Sequence, residues 1–244
     1  MDYIFNVSRR KQLKALETVP KDLPSAYKDV LLRIEASGPN EREIANRTLL
    51  WLFCSRRPLT MPELCEALGV EDDDRTLERQ DLPTSSEVIE SCQSLVMYDE
   101  TKKLVRFTHY TVQEFIAKHV QWSFSQKGYL AKTCLTYLLF DDFSTSYSNL
   151  DLGGRSRDYK FSLYASQYWG IHTRDAETCQ DVQDLVHKLL YSSSFHSMQV
   201  LGEIARRGYV SSNSSAGESI LHISAKYDLA TISGLILTTW NNEK

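Results

Sequence analysis

The sequence has none of the short motifs that build a phosphate-binding or hydrolytic site. No glycine is followed by Lys-Ser or Lys-Thr, so the G-x-x-x-x-G-K-[ST] loop of nucleotide-binding proteins is missing from these 244 residues. The G-x-S-x-G turn of serine hydrolases and the H-E-x-x-H helix of zinc proteases are missing too. The six histidines have no metal-ligand spacing with the cysteines. We therefore predict a chain without catalysis, metal or cofactor of its own.

Cysteine is sparse and long apolar runs are lacking. The five cysteines are scattered and form no C-x-x-C pair: Cys54, Cys65, Cys92, Cys134 and Cys179. This usage predicts free, largely buried thiols in a reducing compartment, and hence a cytoplasmic protein. No apolar run approaches the roughly 20 residues of a membrane-spanning helix, and the first residues do not form a signal peptide.

An excess of positive charge is also lacking, since the net charge is −4. No overall positive field therefore recruits nucleic acid or an anionic membrane. The remaining composition, with 42% hydrophobic and 25% charged residues, is ordinary for a folded soluble protein.

Helical periodicity dominates what is present, and one short β-hairpin interrupts it. Leu23, Tyr27 and Ile34 recur at helical spacing before a break at residues 37–40. A second helix is predicted over 41–56. Capping-box sequences at Thr60, Thr84 and Thr111 each predict the start of a further helix. Two apolar runs, Leu95–Tyr98 and Leu104–Thr108, flank a polar turn and predict the hairpin. The order helix, helix, helix, hairpin is typical of a winged helix.

The second half predicts a helical connector. An apolar helix is expected over 129–140, followed by a polar loop from Asp141 to Asp158 that forms a subdomain boundary. Six residues at helical spacing then form one aromatic-rich face that we interpret as packing core: Phe161, Tyr164, Ala165, Tyr168, Trp169 and His172. Two more helices are expected near 178–191 and 196–207, with Gly208 as a C-terminal cap.

The last part of the sequence resembles an ankyrin repeat. Residues 217–226 read GESILHISAK, which is similar to the G-x-T-P-L-H-x-A-A opening of the first repeat helix, and 228–237 resemble the second helix. Ser219, Ile220 and Asp228 depart from the usual Thr, Pro and Gly. Because one repeat cannot bury its own face, it must stack on neighbours, and we expect further repeats beyond Lys244.

Other motifs, in matching order, resemble NACHT-type signalling ATPases of the STAND class. Residues 106–115, RFTHYTVQEF, are similar to the H-x-S/T-hydrophobic-Q/K-E-F/Y signature of their winged helices. Residues 23–27 (LPSAY), 57–64 (RPLTMPEL) and 164–169 (YASQYW) resemble segments before, within and after that module. With the ankyrin opening, these matches resemble the fungal NACHT–ankyrin class of NOD-like receptors.

The resemblance implies a mainly α fold in four parts. They are the helical end of a NACHT-associated region (1–38), a winged helix (39–122), a helical connector (123–211) and a first ankyrin repeat (212–244). It implies an innate-immunity signalling segment that contacts its own NACHT module and binds protein partners through the connector and ankyrin helices. We expect the isolated chain to be monomeric or weakly associating.

The resemblance also implies a role for His109. In resting NACHT proteins the equivalent histidine contacts the β-phosphate of ADP, so His109 becomes a candidate cofactor-binding residue in a longer chain that holds ADP or ATP. A helix N-terminus beside it suits an anion. The alternative is a histidine that only hydrogen-bonds backbone at a strand–helix junction.

Three further interpretations compete. Winged helices often bind DNA, but the helix predicted over 84–94 has no Lys or Arg and carries Glu87 and Glu90, which phosphates repel. An enzyme lacks support in the motifs, although this kind of winged helix is also named after a lipid-anchor deacylase. A stand-alone protein–protein interaction module is compatible with the first interpretation and differs from it chiefly in whether His109 meets nucleotide.

Overall fold

A computed structural model describes residues 23–120, 124–144, 149–208, 219–234 and 237. The described chain is mainly helical with one two-stranded antiparallel sheet, which confirms the predicted fold class. The part of the predicted 1–38 division that precedes residue 23, and about half of the predicted 212–244 division, lie outside the described residues. The four-part division therefore stays a prediction.

The first half contains the elements expected of a winged helix. They are α1 (Leu23–Glu35), α2 (Pro39–Cys54), α3 (Met61–Leu68), a 3₁₀ turn (Arg79–Asp81), α4 (Ser85–Ser91), β1 (Val96–Asp99), β2 (Leu104–Phe107) and α5 (Tyr110–His119).

Two of the three predicted capping boxes are present. Thr60 caps α3 and Thr84 caps α4, and in each the glutamate three residues on accepts the backbone N–H of the capping threonine. The third prediction is wrong: Thr111 lies inside α5, whose N-cap is His109. His109 ends the extended segment after β2 and accepts the N–H of Thr111 itself, so the helix starts before the threonine can act as its cap.

The wing closes without glycine or proline. β1 and β2 pair in register from Val96 with Phe107 to Asp99 with Leu104. The Asp99 carboxylate accepts the N–H groups of Thr101 and Lys102, and Lys103 takes the left-handed conformation with φ 58°. A side chain that mimics a backbone turn therefore replaces the usual turn residues.

The connector consists of packed helices. They are α6 (Phe124–Leu138), α7 (Asp141–Ser144), α8 (Asn149–Asp158), α9 (Ser162–Arg174), α10 (Gln180–Leu190) and α11 (Ser194–Arg207). The predicted aromatic face of α9 is confirmed as core, with Tyr164 and Trp169 fully buried. Gly208 caps α11 with φ 79°, as predicted.

The loop predicted from Asp141 to Asp158 is largely helical. Phe143 of α7 is buried against Tyr137 and Tyr159, and Ser197 of α11 donates to the Phe143 carbonyl at 2.7 Å. Arg155 of α8 bonds the carbonyl of Asp142. These contacts override the weak helix propensity of a segment rich in serine and glycine, so its described residues are helical and Phe143 anchors α7 to the core.

Trp51 of α2 lies at the centre of a continuous aromatic core. Its ring meets Phe161, Tyr164 and His172 edge-on, with centroids 5.3–5.9 Å apart, and it also contacts Tyr129 of α6. Edge-to-face contacts of this kind add to the stability gained by burial. The winged helix and the connector therefore share one core.

A short helical pair follows. α12 (Ile220–Tyr227) ends at Asp228, which is left-handed with φ 56°, and a second helix begins at residue 230. The Tyr227 ring lies against Trp169 and directly over Gly170 of α9. The Glu177 carboxylate accepts the N–H groups of Thr231 and Ile232, so a connector residue caps the second helix.

Candidate functional site

The candidate site lies where the wing returns to the helical core. After β2, Thr108 is held by two bonds to the segment before β1: its N–H donates to the Leu95 carbonyl and its hydroxyl to the Ser94 carbonyl. His109 follows in extended conformation, and α5 begins at Tyr110. A rigid hairpin on one side and a helix on the other thus fix the His109 backbone.

His109 is exposed and is held through one ring nitrogen. Nδ1 accepts the Thr111 N–H at 3.3 Å and lies 2.8 Å from the Thr111 hydroxyl oxygen. The ring also lies beside the Tyr110 ring, with centroids 4.4 Å apart. Among the described residues, Nε2 has no hydrogen-bond partner. The hydrogen bond to backbone that a purely structural histidine would make is therefore present. It leaves the second ring nitrogen, Nε2, available.

The surroundings of His109 are compatible with an anion. The first turn of α5 contains no acidic residue, while Lys118 and His119 lie in its last turn, where they suit the helix dipole. Arg106 of β2 is half exposed and lies 3.3 Å from the Asp99 carboxylate. The exposed His109 ring therefore lies at the positive end of the α5 dipole.

A contact that the sequence does not indicate joins α1 to the residue that holds the His109 ring. Tyr27 of α1 places its hydroxyl 2.7 Å from the Thr111 hydroxyl and its ring 5.5 Å from that of Phe115. The only signal in the sequence is the LPSAY motif, which contains Tyr27 but does not say what it contacts.

The helix that would enter a DNA groove is acidic in the structure as well. α4 exposes Glu87 and Glu90 and contains no basic residue. Hydrogen bonds from the backbone and hydroxyl of Thr84 lower the pKa of Glu87, so this carboxylate is charged at neutral pH. A charged carboxylate on this face opposes phosphate binding.

A cleft of about 430 Å³ lies between the winged helix and the connector. Its cations already have partners: Arg47 lies 2.6 Å from Glu71, and Lys132 lies 2.5 Å from Asp72. The cleft therefore offers a free anion little net positive charge.

Burial keeps at least two of the thiols protonated in this fold. All five cysteines are free; Cys92 and Cys134 are buried and the other three are half-buried. Burial raises the pKa of Cys92 to about 12 and that of Cys65 to about 11, so neither is a thiolate at neutral pH.

Within the described ranges, no group of His, Cys, Asp and Glu side chains is arranged to hold a metal ion. None of the described helices has the length and apolar character to cross a bilayer.

A comparison with known protein families matches residues 32–126. The matching family is described as the winged helix domain of GPI inositol-deacylase. Residues 32–126 form a winged-helix domain. This range extends the predicted 39–122 by a few residues at each end and includes His109, the wing and α5. No curated protein and no solved structure matches the chain.

Proposed function

We propose that this chain is a non-catalytic regulatory segment of a NACHT-type signalling ATPase, in which the winged helix helps to hold the ADP-bound resting state. His109 is the contact to the β-phosphate, and ADP or ATP is bound by a nucleotide module outside this sequence. The observation that carries the proposal is the exposed His109 ring at the start of α5, held through Nδ1 and open at Nε2.

A neutral imidazole bonded through Nδ1 as acceptor carries its proton on Nε2. That N–H points a donor toward solvent beside the N-terminus of α5, where the partial positive charge of the helix favours a phosphate. A second surface then supplies the rest of the nucleotide site, because one histidine and one helix end do not enclose a nucleotide. We therefore expect no appreciable binding of ADP or ATP to the isolated 244-residue chain.

In this proposal the C-terminal helical pair opens a ligand-sensing ankyrin array in a cytoplasmic protein of the fungal NACHT–ankyrin class. Ser219 caps α12 through the His222 N–H, which agrees with the helix start that the motif at 217–226 predicts. Leu221 is 41% exposed and Leu237 is 51% exposed, so this pair offers an apolar face to a protein partner or a following repeat.

The alternative is a protein–protein interaction module that never meets nucleotide, and the same exposed leucines favour it. The family name GPI inositol-deacylase supports no hydrolysis here, since the motifs of such chemistry are missing from the sequence. We propose that the winged helix is shared with that family as a module and that its catalysis is not.

Replacing His109 separates the two functions. In a natural chain that carries a nucleotide-binding module ahead of this segment, His109→Ala is expected to accelerate ADP release and to activate signalling without a trigger. Lys118→Ala, at an exposed position in the last turn of α5, is the control and should leave ADP release unchanged. If His109→Ala and Lys118→Ala both retain ADP as the wild type does, the interaction-module function is correct instead.

A further inference from the structure

The hydroxyl groups of Tyr27 and Thr111 form a chain that ends on His109. The Tyr27 and Thr111 hydroxyl oxygens are 2.7 Å apart, and the Thr111 oxygen is 2.8 Å from Nδ1 of His109. The three residues come from α1, from the first turn of α5 and from the N-cap of α5. This chain therefore connects the helix that precedes the winged helix to the proposed phosphate contact.

The directions of these hydrogen bonds follow from the backbone. The Thr111 N–H points at Nδ1, so Nδ1 is an acceptor and carries no proton. The Thr111 hydroxyl must then donate to the same nitrogen. Because its single proton is used there, Thr111 accepts the proton of the Tyr27 hydroxyl. The chain runs in one direction, from Tyr27 through Thr111 to His109.

We infer that Tyr27 and Thr111 are positioning residues that fix the tautomer and the ring orientation of His109, so that Nε2–H faces outward as a donor. The inference rests on the proposed function for its biological meaning, but the tautomer is a property of this chain alone. The opposite tautomer would point an N–H at the N–H of Thr111 and would present a lone pair to the anion. The Thr111 N–H selects this tautomer, and the hydroxyl chain from Tyr27 holds the ring where that N–H reaches Nδ1. Without the hydroxyls the ring is free to turn away, and the outward Nε2–H donor is lost.

Packing holds the Tyr27 side chain in its position beside Thr111. Its ring contacts Phe115, whose side chain is buried in the winged-helix core, and Tyr27 itself is half-buried. Thr111 is also half-buried, while His109 is exposed. The chain therefore passes from a fixed, shielded end to an exposed end, which is the arrangement that orients a surface group.

Long-range ¹H–¹⁵N NMR correlations of the histidine side chains test the inference in the 244-residue chain. His109→Gln assigns the signals of His109 among the six histidines. The wild type is expected to show well-separated ¹⁵N shifts, typical of a single Nε2–H tautomer at a pH where the ring is neutral. Thr111→Val keeps the shape and removes the hydroxyl, and should move the two shifts toward each other; Thr111→Ser should restore the wild-type pattern. Tyr27→Phe, which keeps the ring on Phe115, should give a smaller change in the same direction.

Averaged ¹⁵N shifts in the wild type, or an unchanged pattern in Thr111→Val, would overturn the inference. ADP release from the longer chain separates this failure from failure of the proposed function. If the Tyr27–Thr111–His109 hydrogen bonds control the phosphate contact, Thr111→Val raises the rate of ADP release about fivefold, the equivalent of one net hydrogen bond, and Thr111→Ser does not. If the NMR result holds while His109→Ala leaves ADP release unchanged, the positioning role of Tyr27 and Thr111 stands and the proposed function fails.

Discussion

The carboxylate of Glu66 in the winged helix accepts a hydrogen bond from the Tyr137 hydroxyl of the connector, with 2.5 Å between the oxygens. The same carboxylate oxygen accepts the buried N–H of Phe161 at 2.9 Å, and Arg79 lies 3.9 Å from the other oxygen. Burial and the Glu66 charge raise the pKa of Tyr137, which keeps this hydroxyl protonated as a donor. One buried carboxylate thus joins two parts that the sequence suggested were separate.

Replacing Glu66 by Ala is expected to destabilise the whole chain by about 3 kcal/mol, because it leaves the Phe161 N–H and the Tyr137 hydroxyl buried without an acceptor. Glu66→Gln keeps an acceptor oxygen and should cost less. The free energy of unfolding from urea titration, followed by circular dichroism, measures both. A loss under 0.5 kcal/mol, typical of a surface substitution, in Glu66→Ala would mean that this network does not join the two parts.

The stability of the fold should depend on pH through His172. Burial, and then the charge of Arg56, lower the pKa of His172 to about 3 from its ordinary 6.5. The Tyr164 hydroxyl accepts the backbone N–H of Arg56 and lies 2.9 Å from Nε2 of His172, so the buried ring has an uncharged hydrogen-bond partner.

Because the folded state binds this proton less tightly than the unfolded state, the contribution of His172 is complete above pH 6.5 and is lost as the pH falls toward 3. The loss approaches about 1.4 kcal/mol for each pH unit within that window. Urea titrations between pH 7.5 and 4 should show a steeper decline for the wild type than for His172→Gln. Equal slopes would show that His172 is accessible to protons in the folded state.

The packing of α12 on α9 should be sensitive to a single added methyl group. A Cβ at Gly170 would lie 2.3 Å from the Tyr227 ring, whereas a Cβ at Gly154 in α8 meets nothing within 4 Å. Alanine favours a helix by about 1 kcal/mol over glycine at both positions. Gly154→Ala is therefore expected to be neutral or stabilising. Gly170→Ala should raise the rate of amide hydrogen exchange across 220–232. Equal protection in the two variants would contradict the close packing of Tyr227 on Gly170.

We expect that the chain does not bind duplex DNA. α4 exposes Glu87 and Glu90 where a DNA-reading helix needs basic side chains. Gel shifts with random duplex DNA are expected to show no complex at 50 mM or 150 mM salt. A complex that weakens steeply as salt rises would reverse this prediction.

The sequence predicted those features that neighbouring residues determine. The capping boxes at Thr60 and Thr84 and the cap at Gly208 each depend on residues within one helical turn, and all three are present. The Thr111 box failed although its pattern is equally good, because the preceding histidine already caps the helix. A local pattern cannot decide between two competing caps when the strand before them sets where the helix begins.

Features that depend on distant partners were not predicted. The helices at 141–158 exist because of packing by Phe143 and Arg155, which no local signal indicates. Glu66 lies among the apolar residues of α3, and its partners are about 70 and 95 positions away. The candidate site divides in the same way: the RFTHYTVQEF motif indicated His109, while the Tyr27 contact spans 84 positions and became visible only in the fold.

The distance from Nε2 of His109 to the β-phosphate of bound ADP tests the central claim most directly. It is measured in an ADP-bound crystal structure of a natural chain that contains both the nucleotide-binding module and this segment. The proposed function predicts a donor–acceptor distance of about 2.7–3.2 Å from Nε2 to a β-phosphate oxygen, with Nδ1 still on Thr111. An ADP-bound resting structure in which His109 faces solvent, or lies beyond hydrogen-bond reach of the nucleotide, would contradict it.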